Sequence, residues 1–257
     1  MNRDRAKSEK ALRDAVKLGY KAIIVTVCRL AASACSGCLT DLVHQVDTPF
    51  PGKREYDLRI GLDANAIALA SPSAQEGAKQ STIAVSSQMI DASLSWKDLA
   101  WVKQVTGLPV IVKGVQTVDD AVLCAQHDVH AMLSNHGGRQ QNTANTPLET
   151  LLEIRRYAPE VLKKIEVYLD SGIRRGTEVV IALCLGAKAC SMGRPFMYSL
   201  CYGIDGVERL ANIMADEIAR AMRLLGVTRV EELGPQYVNT KALEQYIYNS
   251  GHIEARL

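Results

Sequence analysis

Apolar runs of strand length alternate with helical patterns along most of the chain. The runs Lys21–Val27 (KAIIVTV), Pro109–Lys113 (PVIVK), His130–Ser134 (HAMLS), Ile165–Asp170 (IEVYLD) and Ala187–Met192 (AKACSM) are continuous rather than alternating. That pattern predicts parallel strands covered on both faces. The segments between them open on helix-start signals. Ser95 and Asp98 stand at the head of a stripe of Trp96, Leu99 and Val102, and Thr146-Pro147 with Glu149 precedes Leu148, Leu151 and Leu152. Asp205 and Glu208 open a long amphipathic pattern carrying Val207, Leu210, Met214, Ile218 and Leu225. These stripes are read as core packing. From Pro109 onward, strands recur every roughly 20–35 residues with helices between, which predicts βα units of a barrel or an open sheet. Five strands are too few for a complete eight-stranded barrel, and the stretch Leu58–Ser95 is expected to be an active-site loop.

Composition narrows the class. The 257 residues carry 30 Lys+Arg against 28 Asp+Glu, a net charge of +2, so no dedicated nucleic-acid or membrane-surface role is indicated. Hydrophobic residues make up 47% and charged residues 23%, enough apolar content for a buried core and too much for disorder. No apolar run reaches the ~18 residues of a membrane helix, and Met1-Asn2-Arg3-Asp4-Arg5 has no signal-peptide core. Seven cysteines in such a chain do not suggest a disulfide scaffold. The expectation is a soluble intracellular α/β protein.

Chemistry gathers where the predicted strands end, in Lys113-Gly114, Asn135-His136-Gly137-Gly138-Arg139, Asp170-Ser171-Gly172 and Gly193-Arg194. Carboxyl ends of strands are where parallel α/β folds place their sites. Asp170-Ser171-Gly172-Ile173-Arg174-Arg175-Gly176 and Gly193-Arg194-Pro195 follow the last two strands. Glycine lets backbone N–H groups approach an anion and arginine forks grip phosphate oxygens, so this pair predicts a phosphate site. His136 sits in a tight glycine loop with Arg139 three residues on, a base beside a carboxylate-binding fork, suited to chemistry on a small acid. His44, His127, His130 and His252 lack such company and are read as structural or solvent-exposed. Lys113 ends a buried strand, where an ammonium needs an anionic or electron-rich partner.

The segments SLSWKDLAWVKQVTGLPVIVKGV, LSNHGGRQ, LDSGIRRGTEV and GRPFMYSL, in this order, resemble the FMN-dependent 2-hydroxyacid dehydrogenase/oxidase family over about Asn2 to Glu232. The resemblance implies an FMN-binding (β/α)8 TIM barrel, here incomplete, with strands four to eight present. It implies that His136 is the active-site base, oriented by Asp47, and that Arg139 and Arg54 bind the substrate. Thr26 and Ser134 would contact the flavin, and Lys113 would lie near flavin N1/O2. Asp170, Gly172, Arg174, Gly193 and Arg194 would surround the FMN phosphate. The implied reaction is oxidation of a small L-2-hydroxy acid of the lactate or glycolate class. Electrons would pass from FMN to oxygen or another acceptor. The assembly implied is a homo-oligomer, a tetramer, with no metal. A non-catalytic barrel fragment that no longer binds FMN is the alternative.

Three departures from the family pattern stand out. The first three strands are absent. Ser171 replaces the second residue of the usual Asp-Gly-Gly. The family's continuous Thr-Val-Asp-Thr-Pro is interrupted, so that Thr26 is separated from Val46-Asp47-Thr48-Pro49 by Val27–Gln45. That nineteen-residue piece contains Cys35-Ser36-Gly37-Cys38 without a second cysteine pair at zinc-site spacing. Its codons accommodate splice-donor, branch-point and acceptor signals, so it is read as a non-family insertion, a retained intron. At the C-terminus, Ala255-Arg256-Leu257 resembles a small–basic–Leu peroxisomal signal, giving a peroxisomal or cytoplasmic address.

Overall fold

Asp4 shows how the chain begins its first helix: its carboxylate accepts the N–H groups of Ala6 at 3.1 Å and Lys7 at 3.4 Å. The computed structural model describes residues 4–30, 43–45 and 94–247, with backbone alone for 27–30 and 43–45. The chain divides into two units, Met1–Val110 with Arg139–Asn142, and Ile111–Gly138 with Thr143–Leu257. Among the described residues no helix is long and apolar enough to cross a membrane.

In the first unit, α1 spans Arg5–Lys17 and β1 spans Ile23–Leu30. The Ile23 N–H donates to the Pro109 carbonyl at 3.0 Å. The strand expected at Lys21–Val27 thus starts two residues later and runs three further. Its extension is explained by β2, Val43–Gln45, which pairs with it antiparallel. Val27 lies opposite Gln45 and Leu30 opposite Val43, with a bulge between the two rungs. An antiparallel strand was not expected; it comes from the segment read as an insertion. Helix α2, Trp96–Thr106, is opened by Asp98, whose carboxylate accepts from the Ser95 N–H at 2.6 Å and hydroxyl at 2.9 Å. It buries Trp96, Leu99 and Val102, as the stripe predicts. The Arg5 guanidinium ties α1 to α2 by pairing with Asp98 and lying 5.0 Å over the Trp101 ring.

The second unit is a parallel sheet of β3 (Val110–Val115), β4 (His130–Leu133), β5 (Val167–Asp170) and β6 (Ala189–Ser191), paired in that order. Each connection is a helix: α3 (Val118–Gln126), then α4 (Pro147–Tyr157) with the short α5 (Val161–Lys164), then α6 (Gly176–Cys184). Beyond β6 come α7 (Arg194–Ser199), α8 (Gly203–Leu224) and α9 (Lys241–Glu244). Strand β3 does not stop at Lys113. It slips register between Lys113 and Val115, at Gly114 with φ 107°, and continues. Helix α4 is capped as its sequence predicts: Thr146 Oγ1 accepts the Glu149 N–H at 3.3 Å, and Glu149 accepts the Thr146 N–H at 2.7 Å. The core between sheet and helices holds Val112, Leu133, Leu151, Ile154 and Leu169, all at most 2% exposed.

The α8 stripe departs from expectation. Met214 is buried, whereas Val207, Leu210, Ile218 and Leu225 are only half-buried. The helix begins at Gly203 rather than at Asp205.

Alternation along the strands sorts side chains to two faces. In β5, Val167 and Leu169 are buried, while Tyr168 and Asp170 are half-buried on the other face. In β3 every residue is buried except Lys113, which is half-buried. The carboxyl ends of these strands deliver the polar residues considered next.

Candidate active site

Asp170 closes β5, and three groups converge on its Oδ2. The Ser134 hydroxyl donates to it at 2.7 Å, the Lys113 ammonium stands 3.4 Å away, and the Ser171 hydroxyl lies at 3.4 Å. Residues from three neighbouring strands and their loops therefore meet at one carboxylate. Lys113 is 19% exposed and Asp170 13%, so each charge is largely removed from water and the pair satisfies both.

The two serines carry this pair to the loop after β4. Ser134, 1% exposed, accepts the His136 N–H on its Oγ at 3.2 Å. Ser171 accepts the Gly137 N–H at 2.9 Å, and the two hydroxyl oxygens are 3.3 Å apart. Consecutive amides of the histidine loop are thus hung from Asp170 through two hydroxyls. His136 itself has φ 55°, an unusual left-handed backbone for a residue with a side chain. Gly137 follows at φ 68°, where a Cβ would lie 2.3 Å from Arg194 Nη2. That close approach reflects a bond: Arg194 Nη2 donates to the Gly137 carbonyl at 2.8 Å. Asn135 completes the loop, accepting the Gly138 N–H on its side-chain oxygen at 3.1 Å and donating to the Asn145 carbonyl at 3.3 Å.

After β5 the chain turns through Ser171 at φ 82° and Gly172 at φ 87°. Glu178 then accepts the N–H groups of Arg174 at 2.6 Å and Arg175 at 2.9 Å, and Glu217 accepts that of Gly176 at 2.7 Å. The amides that lead into α6 and its first amide, at Gly176, are therefore engaged by carboxylates. The Gly176 N–H, helped by the Arg175 guanidinium, holds the Glu217 carboxyl below its ordinary range.

Of the residues predicted for the site, Lys113, Ser134, His136, Asp170, Gly172, Arg174, Gly193 and Arg194 belong to the second unit. Thr26 and the exposed Arg139 belong to the first. Asp47 and Arg54 lie outside the described residues. Asp170 is engaged by Lys113 and Ser134. His130 is structural: its Nδ1 accepts the Glu166 N–H at 3.1 Å and its ring meets Tyr168 edge-on. Sequence reasoning missed the hydrogen-bonding part of Ser171. The signal was the glycine usual at that place, which marks a backbone with positive φ.

Comparison with known proteins decides the family. Residues 28–240 match the family model described as FMN-dependent dehydrogenase. The chain belongs to that family. It is 38% identical over 247 residues to L-lactate dehydrogenase (cytochrome) of Wickerhamomyces anomalus, covering 95% of this chain and 40% of that protein. It is 34% identical over 240 residues to 2-hydroxyacid oxidase 2 of Rattus norvegicus, covering 92% of this chain and 61% of the relative. Among solved structures, the recombinant flavin-binding domain of baker's yeast flavocytochrome b2 superposes with a TM-score of 0.71 at 35% identity, covering 98% of this chain and 59% of that one. The chain thus spans about 40–60% of the length of these relatives. Its α/β architecture is part of the TIM barrel of this FMN-dependent 2-hydroxyacid oxidase/dehydrogenase family.

The family's cofactor is FMN, and the residues present fit it. A Cβ built on Gly172 or Gly193 would meet nothing within 4 Å, so both backbones stand open to an oxyanion. The Arg174 side chain is 80% exposed, and Arg194 spends one donor on Gly137 and keeps the rest of its fork.

Proposed function

We propose that the protein oxidises a small L-2-hydroxy acid of the lactate or glycolate class to the 2-oxo acid. The observation that carries this reading is the convergence of Lys113, Ser134, Asp170 and Ser171 beneath the amides of His136 and Gly137. Bound FMN supplies the two-electron acceptor. His136 acts as the base that takes the substrate's hydroxyl proton or α-proton, and Arg139 holds the carboxylate with its planar fork. Arg54 assists in binding the substrate, and Asp47 stabilises the protonated imidazole. Lys113, with Thr26 and Ser134, lines the flavin side and offsets negative charge there. Gly172, Arg174, Gly193 and Arg194 hold the phosphate.

The terminal acceptor is oxygen or another oxidant, and the assembly is a homo-oligomer. Ala255-Arg256-Leu257 is proposed as a peroxisomal address, checked by fusing the tripeptide to a fluorescent reporter and locating it. Residues 27–45 are proposed to be a non-family insertion within a partial FMN domain.

The test is a flavin titration. Purified protein mixed with FMN should acquire a bound-flavin visible spectrum that bleaches anaerobically on adding L-lactate or glycolate. Retention of no flavin would favour a non-catalytic fragment. Binding without bleaching by any 2-hydroxy acid would overturn the substrate class.

A further inference from the structure

We propose that Ser171 is a positioning residue for the His136 loop, an inference that rests on the functional reading above. A serine at φ 82° occupies backbone space that suits glycine, and such a conformation persists where surrounding contacts over-determine it. The contacts are specific. Its Oγ accepts the Gly137 N–H at 2.9 Å. Ser134 has given its own proton to Asp170 at 2.7 Å. The single Ser171 proton therefore faces Ser134 Oγ at 3.3 Å or Asp170 Oδ2 at 3.4 Å.

Without the Ser171 hydroxyl the loop would keep the longer link to the carboxylate, the His136 N–H bond to Ser134 at 3.2 Å. Two bonds to consecutive amides fix the pitch of the loop above the carboxylate more firmly than one. The Arg194 fork approaches the same residue from its carbonyl, at 2.8 Å. Ser171 and Arg194 thus hold Gly137 from its N–H and C=O groups, immediately after the proposed base. The hydroxyl sets where the His136 ring stands relative to a substrate held by other groups.

Two variants separate hydroxyl from backbone. Ser171→Ala removes the hydroxyl and keeps the unfavourable backbone, whereas Ser171→Gly removes the hydroxyl and suits the backbone. Both should lose the hydrogen-bonded amide shift of Gly137 in a ¹H–¹⁵N spectrum and raise its exchange roughly tenfold. The amides of Val112 and Leu133 should be unaffected, and Ser171→Gly should melt higher than Ser171→Ala. In the FMN-loaded chain, kcat for L-lactate should fall by about tenfold in both variants, with KM kept within about twofold.

Wild-type exchange at Gly137 in both variants would overturn the proposal, as would faster exchange with an unchanged kcat. Should Ser171→Ala fail to fold, Ser171→Gly decides alone. Should the wild-type chain reduce no flavin with any 2-hydroxy acid, the functional reading falls, and the Gly137 amide still decides whether Ser171 holds the loop.

Discussion

His136 and Arg139 divide the proposed chemistry between a proton and a carboxylate, so their variants should fail differently. His136→Ala should abolish substrate-dependent bleaching while FMN still binds, because the imidazole is not a phosphate ligand. Stopped-flow reduction at a near-native rate would remove the assignment. Arg139→Lys keeps charge and loses the planar fork, so KM for the 2-hydroxy acid should rise markedly at similar flavin occupancy. An unchanged KM would place the carboxylate elsewhere. The short motif that fixes their spacing was legible in the sequence. Ser171 was not, since its part depends on a backbone angle and on Gly137, which lies 34 residues earlier. The Lys113–Asp170 pair was half legible. A lysine at a strand end asks for an anion, and only the parallel register of β3, β4 and β5 selects Asp170 to meet it.

Helices α6 and α8 pack closely enough that one hydrogen atom matters. A Cβ on Gly176 would lie 2.6 Å from both the Ile218 nitrogen and Glu217 Cβ, which are backbone or next to it and cannot swing aside. Gly176→Ala should therefore force the helices apart and cost about 1–3 kcal/mol in urea or thermal unfolding. Glu217, on α8, caps the first turn of α6, and its carboxyl titrates below the ordinary 4.5 because the Gly176 N–H and then Arg175 favour the charged form. A depressed folded-state value means stability that is complete above 4.5 and lost as pH falls through the lower, folded value. The melting gap between wild type and Glu217→Gln should hold steady near neutrality and close below pH 4.5. A gap independent of pH would refute the cap. Element starts were well read where a cap lies three residues from its partner, as at Ser95 and Thr146. Thr117, which caps α3 by accepting the Asp120 N–H at 3.1 Å, went unread, and Glu217 could not be read at all, 41 residues from its partner. Partial exposure of the α8 stripe was equally hidden, since a helical pattern states which face is apolar but not how much of it is covered.

Across the whole molecule, the parallel order of β3 to β6 was legible from continuous apolar runs at regular spacing. The antiparallel turn-back in the first unit was not, because a segment read as foreign gave no pattern to pair. Val27 and Gln45 were named as the two ends of that foreign segment, and they are also opposite residues on one rung. Opposed residues in an antiparallel ladder are about 4.5–5.5 Å apart between Cα atoms, close to the span of one peptide link. The nineteen residues thus leave and return at nearly one point. Deleting Val27–Gln45 should keep stability within about 2–3 kcal/mol of the parent by thermal unfolding. It should not lower FMN occupancy; a collapse of either would show that the segment is woven into the fold. A messenger RNA that kept these codons and one that dropped them would then encode the same parallel strands β3 to β6, the second without β2 and the last four residues of β1. Variation at this place would alter the end of β1 and its antiparallel partner and leave the register of β3 to β6 untouched.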